Sequence, residues 1–154
     1  MTKTVWPVVL LVALAGCHQA TPEEKAAAAF TVSPLKPGDG ADLTGCITKI
    51  ARAGTTDGSR ILIEDSLQGG ANGYIRINNQ LTKITMTSGG SDSIHSVRSF
   101  VDAANKLSVV ESYDIGEAKT GQTVRPLTGQ LIVTWKGGTQ TIAIGGARNC
   151  IDAP

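Results

Sequence analysis

The sequence lacks a surplus of either charge: 14 Lys and Arg stand against 13 Asp and Glu. Nucleic-acid binders carry a basic excess or stripe, so that partner class is excluded. Two Trp, two Tyr and two Phe are too few to line a large aromatic ligand cavity. A charged fraction of 18% argues against a coiled coil. Histidine is scarce as well, with only His18 and His95, which restricts both metal binding and acid–base catalysis. No apolar run is long enough to span a bilayer. Val8–Leu14 is followed by Gly16, His18, Gln19 and Thr21, whereas a membrane helix needs about 20 apolar residues.

What is present at the N-terminus fits an export signal. Lys3 supplies the positive n-region, Val8–Leu14 the apolar h-region, and small residues precede the cleavage point. The tetrapeptide Leu14-Ala15-Gly16-Cys17 resembles the lipobox of bacterial lipoproteins. That resemblance implies cleavage after residue 16 and a diacylglyceryl group on Cys17, with further acylation of the new amine. Two or more acyl chains anchor stably where one does not. In that family the residue after the cysteine influences sorting, and His18 in place of an aspartate implies the outer membrane, with the domain facing the periplasm. Loss of residues 1–16 removes Lys3 and no acid, leaving 13 basic and 13 acidic side chains.

Three cysteines are an odd number, and lipidation of Cys17 leaves Cys46 and Cys150. In an exported chain two such cysteines are expected to form a disulfide. Closing a loop of about 100 residues contributes roughly 4.7 kcal/mol in the chain-entropy model. The alternatives are buried free thiols or metal ligands. Zinc needs more donors than these two cysteines and His95 supply.

Three segments follow: a signal over 1–16, a lipidated cysteine and flexible tether over 17–42, and a β domain over 43–154. In the tether, Thr21, Pro22 and Glu24 make a capping-box pattern for one short helix. About 25 residues of coil set the domain roughly 27 Å from the membrane. From Leu43 on, apolar residues alternate, and Gly, Asn and Asp punctuate them. Strands are expected near 43–52, 59–65, 73–78, 81–87, 94–102, 106–115, 123–135 and 139–148. A turn at Gly137-Gly138 sets Val133 opposite Ile142 and Leu131 opposite Ile144. A turn at Asn79-Gln80 sets Ile75 opposite Ile84, and is preferred to a turn one residue earlier that sets Ile75 opposite Thr82. A third hairpin is expected around Thr55–Ser59. The fold class is all-β, a small antiparallel meander closed as a barrel or stacked as a sandwich.

Chemistry is sparse in the pattern. Asp92, Ser93, His95 and Ser96 crowd one segment, but neighbours on a strand point to opposite faces and cannot converge. Glu64-Asp65 and Glu111-Asp114 are the available carboxylate pairs. Glycoside hydrolysis needs two carboxyls about 5 to 9.5 Å apart across one sugar, which this spacing does not specify, and Glu64-Asp65 reads as solvated charge at a strand end. The glycine pairs at 69–70, 89–90, 137–138 and 145–146 fit neither phosphate-loop fingerprint and read as turns or bulges. Asp39, Asp42 and Asp57 lack the spacing of a calcium loop. No catalytic residue, metal or cofactor is assigned.

The hairpin TWKGGTQTIAIGG, around Trp135, Lys136 and Gly137, is similar over about a dozen residues to the closing strands of membrane-bound bacterial lysozyme inhibitors. Those are small disulfide-bonded β-barrel lipoproteins. The resemblance implies a periplasmic protein partner, a cell-wall hydrolase, inhibited or neutralised as by an immunity factor. Trp135, Lys136, Tyr74 and Arg76 are the candidate contacts, because interface anchors favour Trp, Tyr and Arg. The readings that compete with it are an accessory lipoprotein of an envelope assembly and an envelope hydrolase.

Overall fold

A computed structural model describes residues 29–65 and 70–150. Nine strands run in order: β1 Val32–Ser33, β2 Ile47–Arg52, β3 Leu62–Asp65, β4 Asn72–Ile77, β5 Gln80–Ser91, β6 His95–Asp102, β7 Leu107–Ile115, β8 Val124–Trp135 and β9 Gly138–Asn149. From β2 to β9 every strand pairs antiparallel with the next, and β9 pairs back with β2. The result is a closed eight-stranded up-and-down barrel. The ninth strand, β1, lies against β4, where Val32 faces Ile77. Closure leaves no bare sheet edge in the barrel. The Cys46–Cys150 disulfide is present and ties the start of β2 to the end of β9.

Period-two alternation is what drives these strands together. Ile50, Leu62, Ile75, Ile84, Phe100, Val109, Leu131 and Val133 are wholly buried. Each is separated by two from a like-facing neighbour, as in the buried-intermediate repeat of β7. Burial of each such side chain stabilises by about 1.5–3 kcal/mol. The outward rows carry Lys83, Thr85, Ser112, Asp114, Thr128, Gln130, Thr139 and Thr141, all exposed or half-buried.

The eight barrel strands fall where alternation puts them, but two registers differ from expectation. In the β4–β5 hairpin Ile77 faces Gln80 and Ile75 faces Thr82, the arrangement with the earlier turn. The reason is local: Asn78 and Asn79 both have positive φ, 50° and 67°, as a two-residue type I′ turn requires, and asparagine tolerates it. In the β8–β9 hairpin the turn is Lys136-Gly137, with φ of 47° and 89°, so Val133 faces Gln140 and Leu131 faces Ile142. Both corrections move a partner by two residues. Facing is therefore preserved, because only an odd slip turns side chains outward.

Ala29–Asp42, assigned to the tether from sequence, lie on the barrel. Phe30 and Val32 are buried. The Phe30 ring sits 5.9 Å from that of Trp135, and its carbonyl accepts from Gln140 Nε2. Arg52 Nη2 donates to the Val32 carbonyl at 3.0 Å. These contacts close the barrel at the end holding the β4–β5 and β8–β9 turns, here termed the turn end. Residues 34–45 then run as a strap along the outside to Cys46 at the opposite, disulfide end. The signal, Cys17 and the helix expected from Thr21 lie outside the described residues, as does Gly69.

Candidate functional site

The interior changes character along the barrel axis. Towards the disulfide end, Thr48, Glu64, Ser96, Arg98, Glu111 and Tyr113 all occupy inward positions and all are buried. Arg98 Nη1 donates to Glu64 Oε1 at 2.8 Å, and its Nε lies 3.9 Å from Glu111 Oε1. Glu64 Oε2, both Glu111 oxygens, the Tyr113 hydroxyl, Ser96 Oγ and Thr48 Oγ1 have no hydrogen-bond partner among the described residues. Tyr113 is admitted by Gly129 on the facing strand: a Cβ there would lie 2.1 Å from the Ser112 carbonyl and 2.6 Å from Tyr113 Cα.

Burial sets the protonation of this cluster. It pushes Glu64 up against the pull of Arg98, and it pushes Glu111 further, helped by the charge on Glu64. The Tyr113 phenol is raised by burial to about 12. Like charges in so dry a space cannot both persist. The geometry gives the charge to Glu64, bonded to Arg98, and the proton to Glu111. Two carboxyls sharing one proton form an acid–base pair in principle, yet both side chains are fully enclosed and meet no substrate in this conformation.

Access to solvent lies above the cluster, at the disulfide end. An open groove of about 360 Å³ is lined by Asp92, Ala118, Gln122, Thr123, Arg125, Arg148 and Cys150. Arg125 reaches along the rim, donating from Nε to the Gly116 carbonyl at 2.9 Å and from Nη2 to Ser93 at 2.6 Å and Ile115 at 3.4 Å. Arg148 approaches Cys46 Sγ at 3.3 Å and the Ser91 hydroxyl at 3.4 Å. Three of the four large apolar side chains exposed among the described residues also belong here: Ile94 at 66%, Val97 at 42% and Val124 at 39%.

The residues singled out from sequence do not converge. Trp135 and Tyr74 lie on β8 and β4, four places apart in an eight-stranded closed order. Trp135 is half-buried against Phe30 and carries Lys136 Nζ 4.4 Å above its ring. Tyr74 donates its hydroxyl to Asp42 at 2.8 Å, and Arg76 holds both oxygens of Asp39 at 2.6 and 2.9 Å. The strap thus engages both. The hydrogen bonds to Arg76 and Tyr74 hold Asp39 and Asp42 below the ordinary carboxylate range. Glu64 and Asp65 are buried, not solvated. His95 finds its partner across the strand pair, with Nδ1 2.9 Å from Asp114 Oδ1 on the outer surface, while Asp92 accepts from backbone amides. The Glu64–Arg98–Glu111 grouping went unseen in the sequence, although the parity of Leu107, Val109, Glu111, Tyr113 and Ile115 places Glu111 inward.

No family model, curated protein or solved structure matches the chain.

Proposed function

We propose that this chain is an outer-membrane-anchored lipoprotein whose barrel acts as a protein-binding module in the periplasm, an inhibitor or immunity factor directed at a cell-wall hydrolase. The observation that carries the reading is the polarity of the barrel. The chain leading from Cys17 enters at the turn end, where Phe30 and Val32 are buried, so an anchor at Cys17 leaves the disulfide end pointing away from the membrane. That free end holds the exposed Ile94, Val97 and Val124 beside two arginines. Arginine is enriched at interface centres, and exposed apolar side chains beside it gain by being covered. The resemblance of the Thr134–Gly146 hairpin to membrane-bound lysozyme inhibitors points to the same class.

The test titrates purified cell-wall hydrolases with the mature protein and with an Ile94→Asp variant. Inhibition by the wild type, weakened at least tenfold in the variant, supports the reading. A variant as potent as wild type removes the disulfide end from the interface. No inhibition across lysozyme-type, amidase and endopeptidase classes overturns the inhibitor assignment, and a Cys17 free of lipid in the mass spectrum of the exported protein overturns the anchor.

A further inference from the structure

Arg125 and Arg148 are direct cross-strand partners on β8 and β9. Partners in register project to the same side of a sheet, and like charges placed so repel one another. Both occupy the inward parity of their strands, in step with Leu127 on β8 and Ile144 on β9, and both line the groove at the disulfide end. Neither lies within 4.0 Å of a carboxylate among the described residues. Arg125 bonds only to backbone carbonyls, and Arg148 to a sulfur and a hydroxyl at long distance.

The acid that shares this groove is already committed. Asp92 Oδ1 accepts from the amides of Ile94 and His95 at 2.8 and 2.7 Å, closing the β5–β6 turn. Two guanidinium groups against this one carboxylate leave the groove with a formal charge of +1. Beneath it, Glu64 and Arg98 offset one another, and Arg148 acts on Glu111 from the mouth, drawing its titration point down against the effect of burial. The carbonyl contacts of Arg125 fix its guanidinium in place and leave Nη1 open, while Gln122 lies alongside and the Thr123 hydroxyl donates to Asn149 at 3.2 Å. Two fixed guanidinium groups, with Arg125 Nη1 and Arg148 Nη2 open among the described residues, can each give an oxyanion one charge-assisted hydrogen bond.

From this geometry we infer that the disulfide-end mouth is a binding site for a small oxyanion ligand, a carboxylate or phosphate group clamped between Arg125 and Arg148. This goes beyond partner binding, since the site is complete without a second protein. The groove, about 360 Å³, is of the size that holds a small molecule.

The experiment titrates the mature protein with inorganic phosphate and, separately, with succinate, following the arginine Nε–Hε and backbone amide resonances by NMR. Saturable shifts at Arg125, Arg148 and Thr123, weaker at higher salt, are expected. Tighter phosphate binding assigns a phosphorylated ligand, and tighter succinate binding a carboxylate ligand. Arg125→Gln and Arg148→Gln each lower affinity at least tenfold, while Lys49→Gln leaves it unchanged. Asp152→Asn tests the next acid in the sequence after Cys150, and affinity within twofold of wild type supports a site open to external anions. Should a variant fail to fold, the wild-type shift map alone decides. Absence of saturation with either anion, shifts that miss both arginines, or binding seen only in Asp152→Asn overturns the site.

Discussion

The two halves of the barrel interior obey different rules. At the turn end Ile75, Phe100, Val109 and Val133 pack together, and the polar side chain buried opposite Ile75 is Thr82. At the disulfide end an ion pair, a second carboxyl and three hydroxyl-bearing side chains share the same enclosed space, with Ile115 and Leu127 beside them. Apolar burial stabilises in proportion to area, whereas a buried ion pair often does no better than well-packed apolar residues in its place. The difference teaches that the stability gained from apolar packing resides mainly in the turn half. The other half spends some of it on a defined charge arrangement directly below the mouth.

The strongest way to break this contrast is Arg98→Met. Removing one partner of a buried pair strands the other, and a loss of about 3–5 kcal/mol is expected, measured by urea unfolding. Adding Glu64→Met should restore most of it, because the stranded charge is then gone. Leu131→Ala in the apolar half costs about 2–5 kcal/mol and has no such second-site rescue, since a cavity and not a charge is the cause. A comparable loss follows from replacing Cys46 and Cys150 together by serine, about 2–5 kcal/mol. Hydrogen exchange should then show faster opening at Thr48 and Asn149 than at Ile75 or Val133.

The gentlest probe is pH. Folding raises the titration points of Glu64 and Glu111, so the folded protein binds more protons than the unfolded chain above the ordinary carboxylate value of 4.5. Stability from this source is fully present below that value and is lost as pH rises towards the raised folded one. Glu111→Gln removes most of the slope, so its unfolding midpoint should gain on wild type as pH climbs from 5 to 8. An unchanged slope would move the proton elsewhere in the cluster.

Much of the fold was legible because alternation is a strong signal where one side of a strand is buried. It located the eight barrel strands and, with cysteine counting, the staple between the ends. Register was harder. The hairpins turn on Asn78-Asn79 and Lys136-Gly137, and sequence gives little warning that lysine will adopt positive φ. β1 was invisible, since two residues beside Phe30 carry no periodicity. The interior cluster was missed for a different reason. Charge at Glu64 looks like the end of a strand when Asp65 follows it, and only the cross-barrel meeting with Arg98 explains its burial. Arg125 and Arg148 become a pair solely through the β8–β9 register.

The strap from residue 34 to 45 has a mechanical consequence. Tension on the chain leading into the barrel meets the buried Phe30 and Val32 and the pairing of β1 with β4 first, then the side contacts of Asp39 and Asp42, and beyond them a covalent stop at Cys46. Unpeeling these dozen residues frees about 40 Å of chain at full extension. The molecule thus carries spare rope that pays out under load while the body stays whole.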